Sequence, residues 1–189
     1  MGVQVNVVVH GGLQMLVWLY MIPTSVFIIQ QKFQNYFTYH QRINLTAAIG
    51  VLVAILFVAV GNGDDDRRRL DGDDDGSGPV ANHPNTGWTV FAMMYFQIFI
   101  GLFRPHKGET PQRRVWFILH KFLGYCTPLF AIYQVITGWL AAGDSMALVL
   151  EVFIPIIFIL HVLTYYFYFR NATKDALLKD TNTGNQSSL

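Results

Sequence analysis

Apolar residues run in five long blocks along this chain, separated by short polar stretches in which nearly all the charge is gathered. Each block meets the roughly 20 residues that a helix needs to cross the hydrocarbon core of a bilayer. The pattern predicts helices at about 5 to 31, 38 to 60, 83 to 103, 111 to 141 and 146 to 169. Pro84 and Pro111 are placed as first helical residues, with Asn82 or His83 and Thr110 as caps. Pro23, Pro128 and Pro155 fall inside predicted helices and read as kinks that neighbouring helices tolerate.

Composition sharpens the class. Of 189 residues, 52% are hydrophobic and 13% charged, against about 25% charged in soluble domains. The prediction is an all-α integral membrane protein with five transmembrane helices, the first four forming an up-down bundle. Residues 1–170 make one transmembrane domain, and nothing points to nucleic acid. The opening MGVQVN lacks the basic region of a signal peptide and, with Asn6, the myristoylation pattern. The single cysteine, Cys126, lies in an apolar run and reads as an inert buried thiol.

Charge sets an expected orientation. Lys32, Arg42, Arg104, Lys107, Arg113, Arg114, Lys121, Arg170, Lys174 and Lys179 fall on one side of a five-helix zigzag, and only Arg67, Arg68 and Arg69 on the other. The richer side is cytoplasmic by the positive-inside rule, with the N-terminus outside and the C-terminus inside. The segment 61–82, GNGDDDRRRLDGDDDGSGPVAN, reads as a disordered acidic loop outside the membrane. It matches only the first half of a calcium-binding EF-hand loop, because Asn82 stands where glutamate is needed. The tail 171–189 reads as disordered and cytoplasmic. No internal repeat is apparent beyond the placement of histidines.

That placement carries the chemistry. His10, His40, His83 and His120 each lie near the N-terminal end of one of four successive spans. In an antiparallel bundle His10 and His83 then share one face of the membrane, and His40 and His120 the other. Gly87 and Gly124 each follow a histidine by four residues and leave a patch free of side chain beside it, while Gly11 and Gly12 follow His10. Two histidines per face are too few for a zinc site but complete the axial positions of a haem iron. Two haems held by four histidines are therefore expected. His106 reads as a solvent-exposed loop residue and His161 as a hydrogen-bonded packing residue.

The segments HGGLQMLVWLYMIPTSVFI at 10–28, HPNTG at 83–87 and FRPHKGETPQRRVWFILHKFLGY at 103–125 resemble the cytochrome b561 family, in the branch found behind a DOMON domain in ferric-chelate-reductase-like proteins. The resemblance covers the first four helices and loosely the fifth. It implies an oxidoreductase with two haem b groups as cofactors, His10 and His83 ligating the outer haem iron and His40 and His120 the cytoplasmic one, with Gly87 and Gly124 packing on the haems. It further implies one-electron transfer from a cytoplasmic donor such as ascorbate to monodehydroascorbate or a ferric chelate on the other side. Lys121, Arg113, Arg114 and Lys107 are the candidates for meeting the anionic donor. Membrane lipid and either a separate DOMON-type protein or a second copy of the chain are the expected partners; the DOMON domain of the branch would come from such a partner or from a longer form of the chain, or be dispensable to a free-standing core. The acidic 61–82 insertion departs from the family pattern. Two other readings stay open on the residues alone: a haem b anchor subunit serving a separate partner domain, and a haem-free transporter or scaffold with a histidine-lined path.

Overall fold

The computed structural model describes residues 5–31, 35–61, 82–105, 108, 110–142 and 144–186. All the regular structure among them is helical: α1 (Val5–Leu16), a π-helical turn (Val17–Met21), α2 (Ile22–Gln31), α3 (Tyr36–Gly61), α4 (His83–Leu102), α5 (Pro111–Ala142) and α6 (Asp144–Gln186). The first predicted span is thus α1, the π turn and α2 run together. The acidic segment between α3 and α4 lies outside the described residues except at its ends, as do His106 and Lys107.

Four spans, Val5–Gln31, Tyr36–Val60, Pro111–Ala142 and Val149–Tyr168, are long and apolar enough to cross a membrane. Their outward residues, among them Phe117, Leu129 and Phe158, are large, apolar and exposed, which suits lipid rather than water. Five spans were expected from the sequence. The remaining one, α4, is a continuous helix of 20 residues that does not reach the same apolarity, because His83, Asn85, Thr86, Thr89 and Gln97 interrupt its run.

Local chemistry explains the helix ends. Thr110 caps α5, its hydroxyl accepting from the Arg113 amide at 3.2 Å. Asn82 stands at the cap of α4 without a side-chain hydrogen bond, and Pro84 is the second helical residue, where a missing N–H costs nothing. Asn35 takes a positive φ of 61°, a conformation asparagine tolerates, and its carbonyl accepts from the Tyr39 amide. The π turn sits just before Pro23. Proline has no amide to donate and crowds the carbonyl four residues back, and one widened turn absorbs both defects.

The C-terminal segment carries helical backbone. Residues 171–186, read as disordered, continue α6. The segment NATKDALLKD is rich in good helix formers, and a helix already running from the membrane needs no new nucleus to extend through it.

Neighbour contacts close α1–α2, α3, α4 and α5 into a ring. The α1–α2 span packs on α3, α3 on α4, α4 on α5, and α5 back on α1, while α6 docks outside against α1. Two diagonals therefore remain, α1 to α4 and α3 to α5. The ring's core includes Trp18, Ile22, Ala48, Val51, Met94 and Ala131. A separate seam of Met15, Val149 and Ile157 holds α6. Gly12 allows that seam, since a Cβ there would strike the Phe153 ring. Gly12→Ala is expected to destabilise the protein by about 1–3 kcal/mol through overpacking, read as a lower melting temperature in detergent; an unchanged melt would show that Phe153 moves aside freely.

Candidate functional site: two histidine pairs across the bundle

The ring order puts His10 of α1 opposite His83 of α4, and His40 of α3 opposite His120 of α5. Ring centres of the first pair are 6.4 Å apart, with planes at 78°. Those of the second pair are 6.5 Å apart, at 70°. An imidazole nitrogen sits roughly 2.0 Å from a first-row metal ion, and its ring centre about 1.1 Å further back, so two imidazoles facing one ion from opposite sides would place their centres about 6.2 Å apart. Both pairs fall within a few tenths of an ångström of that separation.

Hydrogen bonds select which nitrogen is left over. His10 Nδ1 lies 2.9 Å from the Ala54 carbonyl, which only accepts, so Nδ1 carries the proton. His40 Nδ1 faces the Ser25 carbonyl at 3.2 Å and the Ser25 hydroxyl oxygen at 2.8 Å. That oxygen in turn receives Asn44 Nδ2. His83 Nδ1 lies 3.1 Å from Thr137 Oγ1; the Thr137 hydroxyl donates to the Gln134 carbonyl at 3.1 Å, which leaves its oxygen free to accept. Gln134 Nε2 also lies 2.9 Å from His83 Nδ1 while donating to the His83 carbonyl. At His10 and His40 the carbonyl facing Nδ1 leaves Nε2 free to ligate, while at His83 the Gln134 amide nitrogen, a donor, and the Thr137 hydroxyl both flank Nδ1. Fixing the tautomer through the other nitrogen is how metal-binding histidines are oriented. His120 differs, for its buried Nδ1 has no partner. It is held by stacking on Trp116, centres 4.9 Å apart and planes 10° from parallel, with Trp116 Nε1 donating to the Ile100 carbonyl at 2.7 Å.

An internal repeat, absent from the sequence reading, organises these contacts. The pattern H-x3-G-x9-Q-x3-G occurs as His83, Gly87, Gln97, Gly101 in α4 and as His120, Gly124, Gln134, Gly138 in α5. The two helices are antiparallel, and each copy reaches into the other. Gln134 donates to the His83 carbonyl and Gln97 to the His120 carbonyl at 2.7 Å. A Cβ at Gly87 would meet Gln134 Nε2 at 2.9 Å, and one at Gly124 would meet Gln97 Nε2 at 3.1 Å. A Cβ at Gly138 would meet His83 Cε1 at 2.8 Å, and one at Gly101 would meet His120 Cε1 at 3.5 Å. Gly87 and Gly124, read as openings beside the histidines, thus give room to the glutamines that hold the opposite histidine's backbone. It is Gly138 and Gly101 that face the imidazoles.

The other half of the ring obeys the same geometry. Ala54, fourteen residues after His40, receives His10, whereas Ser25, fifteen residues after His10, receives His40. The π turn inserts the extra residue and restores the register. A helix rises about 21 Å over fourteen residues, so the two histidine levels stand about that far apart, inside a hydrocarbon core of about 30 Å.

No group of three or more His, Cys, Asp or Glu side chains comes together as a metal site among the described residues. A pair of imidazoles then suits an ion whose remaining ligands come with it, as in a macrocycle, and the residues fit a haem on ring spacing and, at His10 and His40, on tautomer. An apolar cavity of about 390 Å³ adjoins Gly124, between α2 and α5, lined by Ile22, Pro23, Val26, Tyr125 and Pro128 among others.

The candidate donor-side residues are placed as follows. Arg113 lies with its guanidinium carbon 4.5 Å from the Trp116 ring centre and Nη1 3.3 Å from the Pro105 carbonyl. Arg104 lies 5.8 Å from the same ring and 4.7 Å from Phe37. Lys121 lies 4.6 Å over Phe117, an exposed ring, and Arg114 is exposed. Sequence reasoning missed Trp116 and the partners of Nδ1; the repeat in α4 and α5 was the signal for Gln97, Gln134, Gly101 and Gly138. His161 behaves as expected, with Nδ1 donating to the Ile157 carbonyl at 2.9 Å and its ring edge-on to Tyr20. Comparison with protein-family models, curated proteins and solved structures finds no match to the chain.

Proposed function

We propose that the protein is a transmembrane oxidoreductase of the cytochrome b561 type, with one b-type haem between His10 and His83 and another between His40 and His120. The observation that carries this reading is the duplicated spacing of 6.4 and 6.5 Å across the two diagonals of one four-helix ring. His10 with His83, and His40 with His120, would each hold a haem, which would supply one-electron chemistry there. The Ala54 and Ser25 carbonyls hold the His10 and His40 imidazoles in the ligating tautomer. The buried side chains between the levels, Trp18, Val51 and Met94 among them, keep water out of the path.

In this reading α4 is the fifth span. Two of its polar residues face partners inside the bundle, Gln97 at the His120 carbonyl and Thr86 at Gln134, and the exposed Thr89 hydroxyl donates to the Asn85 carbonyl of its own helix, which lowers their cost in lipid. The ten-to-three distribution of Lys and Arg places the His40–His120 level on the cytoplasmic side. Arg104, Arg113, Arg114 and Lys121 make that end positive and draw in a small anionic donor of the ascorbate class. The acceptor at the opposite end is a ferric chelate or monodehydroascorbate, met directly or through a DOMON-type partner.

The test is haem stoichiometry on the purified full chain, followed by titration with ascorbate and reoxidation with ferric citrate. Two haems per chain, reduced by ascorbate and reoxidised by the chelate, are expected. A protein purified without a Soret band, or one that takes up no haem when it is supplied during expression, sinks the reading.

A further inference from the structure

Resting on the haem reading above, we infer that the two sites fill cooperatively, because both are shared between the same two helix hairpins and filling one draws together the halves of the other. The α1–α2 span with α3 forms one hairpin, and α4 with α5 the other. Within each hairpin, the residue fourteen or fifteen places after one histidine holds the other. The Ala54 carbonyl accepts from His10 Nδ1 and the Ser25 carbonyl from His40 Nδ1. Gln97 donates to the His120 carbonyl and Gln134 to the His83 carbonyl. Asn44 at the Ser25 hydroxyl and Trp116 at the Ile100 carbonyl add to the two sets. Every one of the four histidines is thus tied to its own hairpin. Each facing pair nevertheless takes one imidazole from either hairpin, His10 with His83 and His40 with His120.

Between the hairpins the contact is mainly apolar, with Val17, Ala48 and Val51 against Val90, Met94 and Ala131; Tyr95 also donates to the Ala48 carbonyl at 3.0 Å. Apolar packing of this kind gives helices little preference for one another in a bilayer, because lipid chains replace it on separation. The seam between the hairpins therefore opens at lower cost than either hairpin does. One element works against the opening. α6 follows α5 in the chain but docks on α1 of the other hairpin, through the seam of Met15, Val149 and Ile157. The Tyr20 hydroxyl lies 2.9 Å from Thr164 Oγ1, and Tyr168 donates to Gln31 Oε1 at 3.0 Å, so α6 straps the two halves together. A pair of imidazoles can share one ion only when the seam is closed, and closing it for one pair closes it for the other. Each site then favours the other by the same factor.

Native mass spectrometry of the full chain in lipid nanodiscs, loaded to an average of one haem per chain, tests this. Independent sites leave half of the chains with one haem when their affinities are equal, and more than half when they differ. Cooperative filling leaves fewer than half, with empty and two-haem chains in excess, and that is the expected result. Tyr20→Phe combined with Tyr168→Phe loosens the strap without touching a histidine and is expected to lower the one-haem share further. With haem in excess, His10→Ala keeps the haem of the other pair but binds it about tenfold more weakly than the unaltered chain does, read by equilibrium partition with apomyoglobin. A one-haem share of half or more, a share that does not fall in the tyrosine variant, or undiminished affinity in His10→Ala overturns the inference and leaves the haem reading standing. A chain that carries no haem overturns both.

Discussion

His83→Ala and His10→Ala are each expected to lower the haem content from two per chain to one, and to remove the same haem. His40→Ala and His120→Ala are expected to remove the other. The pairing follows from the ring order, in which His10 and His83 lie across one diagonal and His40 and His120 across the other. Removing one imidazole leaves a single candidate ligand, since no group of three or more His, Cys, Asp or Glu comes together among the described residues. Combining His10→Ala with His83→Ala should therefore cost no more haem than either alone, while combining His10→Ala with His40→Ala should cost both. Pyridine haemochrome assay of the purified variants reads the stoichiometry, and difference spectra read which haem remains. Single variants at His10 and His83 that leave spectrally different haems behind would break the pairing, and loss of a haem in His161→Ala would break the assignment of ligands.

Much of this architecture is legible in the sequence because a membrane restricts the choices. Each span needs about 20 apolar residues, so the helix limits read from the runs lie within about two residues of the observed ones except at the C-terminus. Once four histidines recur at the starts of successive antiparallel helices, alternation alone puts His10 with His83 and His40 with His120. What holds the imidazoles is less legible. His10 is oriented by a main-chain carbonyl, that of Ala54, and nothing about an alanine in an apolar run announces it. Ser25 is out of step by one residue because of the π turn, a register change that hydropathy does not record. Trp116 looks like one more aromatic at a helix end, and its stacking on His120 appears only when α5 is built. The repeat in α4 and α5 was present as letters, but its meaning depends on the two helices lying antiparallel, so that each glutamine lands on the other copy's histidine.

Gly138→Ala is the second change expected to have a large effect, and its twin Gly101→Ala is expected to have little. The two glycines hold equivalent places in the repeat, yet the helices approach more closely at one than at the other. A methyl at Gly138 would sit 2.8 Å from His83 Cε1 and 3.5 Å from both ring nitrogens. The imidazole is caught there between Thr137 and Gln134 at Nδ1, with Gln134 also on its backbone carbonyl, so it cannot yield without giving up those contacts. Displacement of the ring by several tenths of an ångström takes Nε2 off the axis shared with His10, and the outer haem is lost or loosely held. At Gly101 the same methyl would rest 3.5 Å from His120 Cε1, an ordinary van der Waals contact, and His120 has no hydrogen bond at Nδ1 to lose. Haem stoichiometry and thermal retention of the Soret band in the two variants separate these cases. Full haem content in Gly138→Ala, or loss in Gly101→Ala with Gly138→Ala intact, would show that the imidazoles are not held against these glycines when the sites are filled.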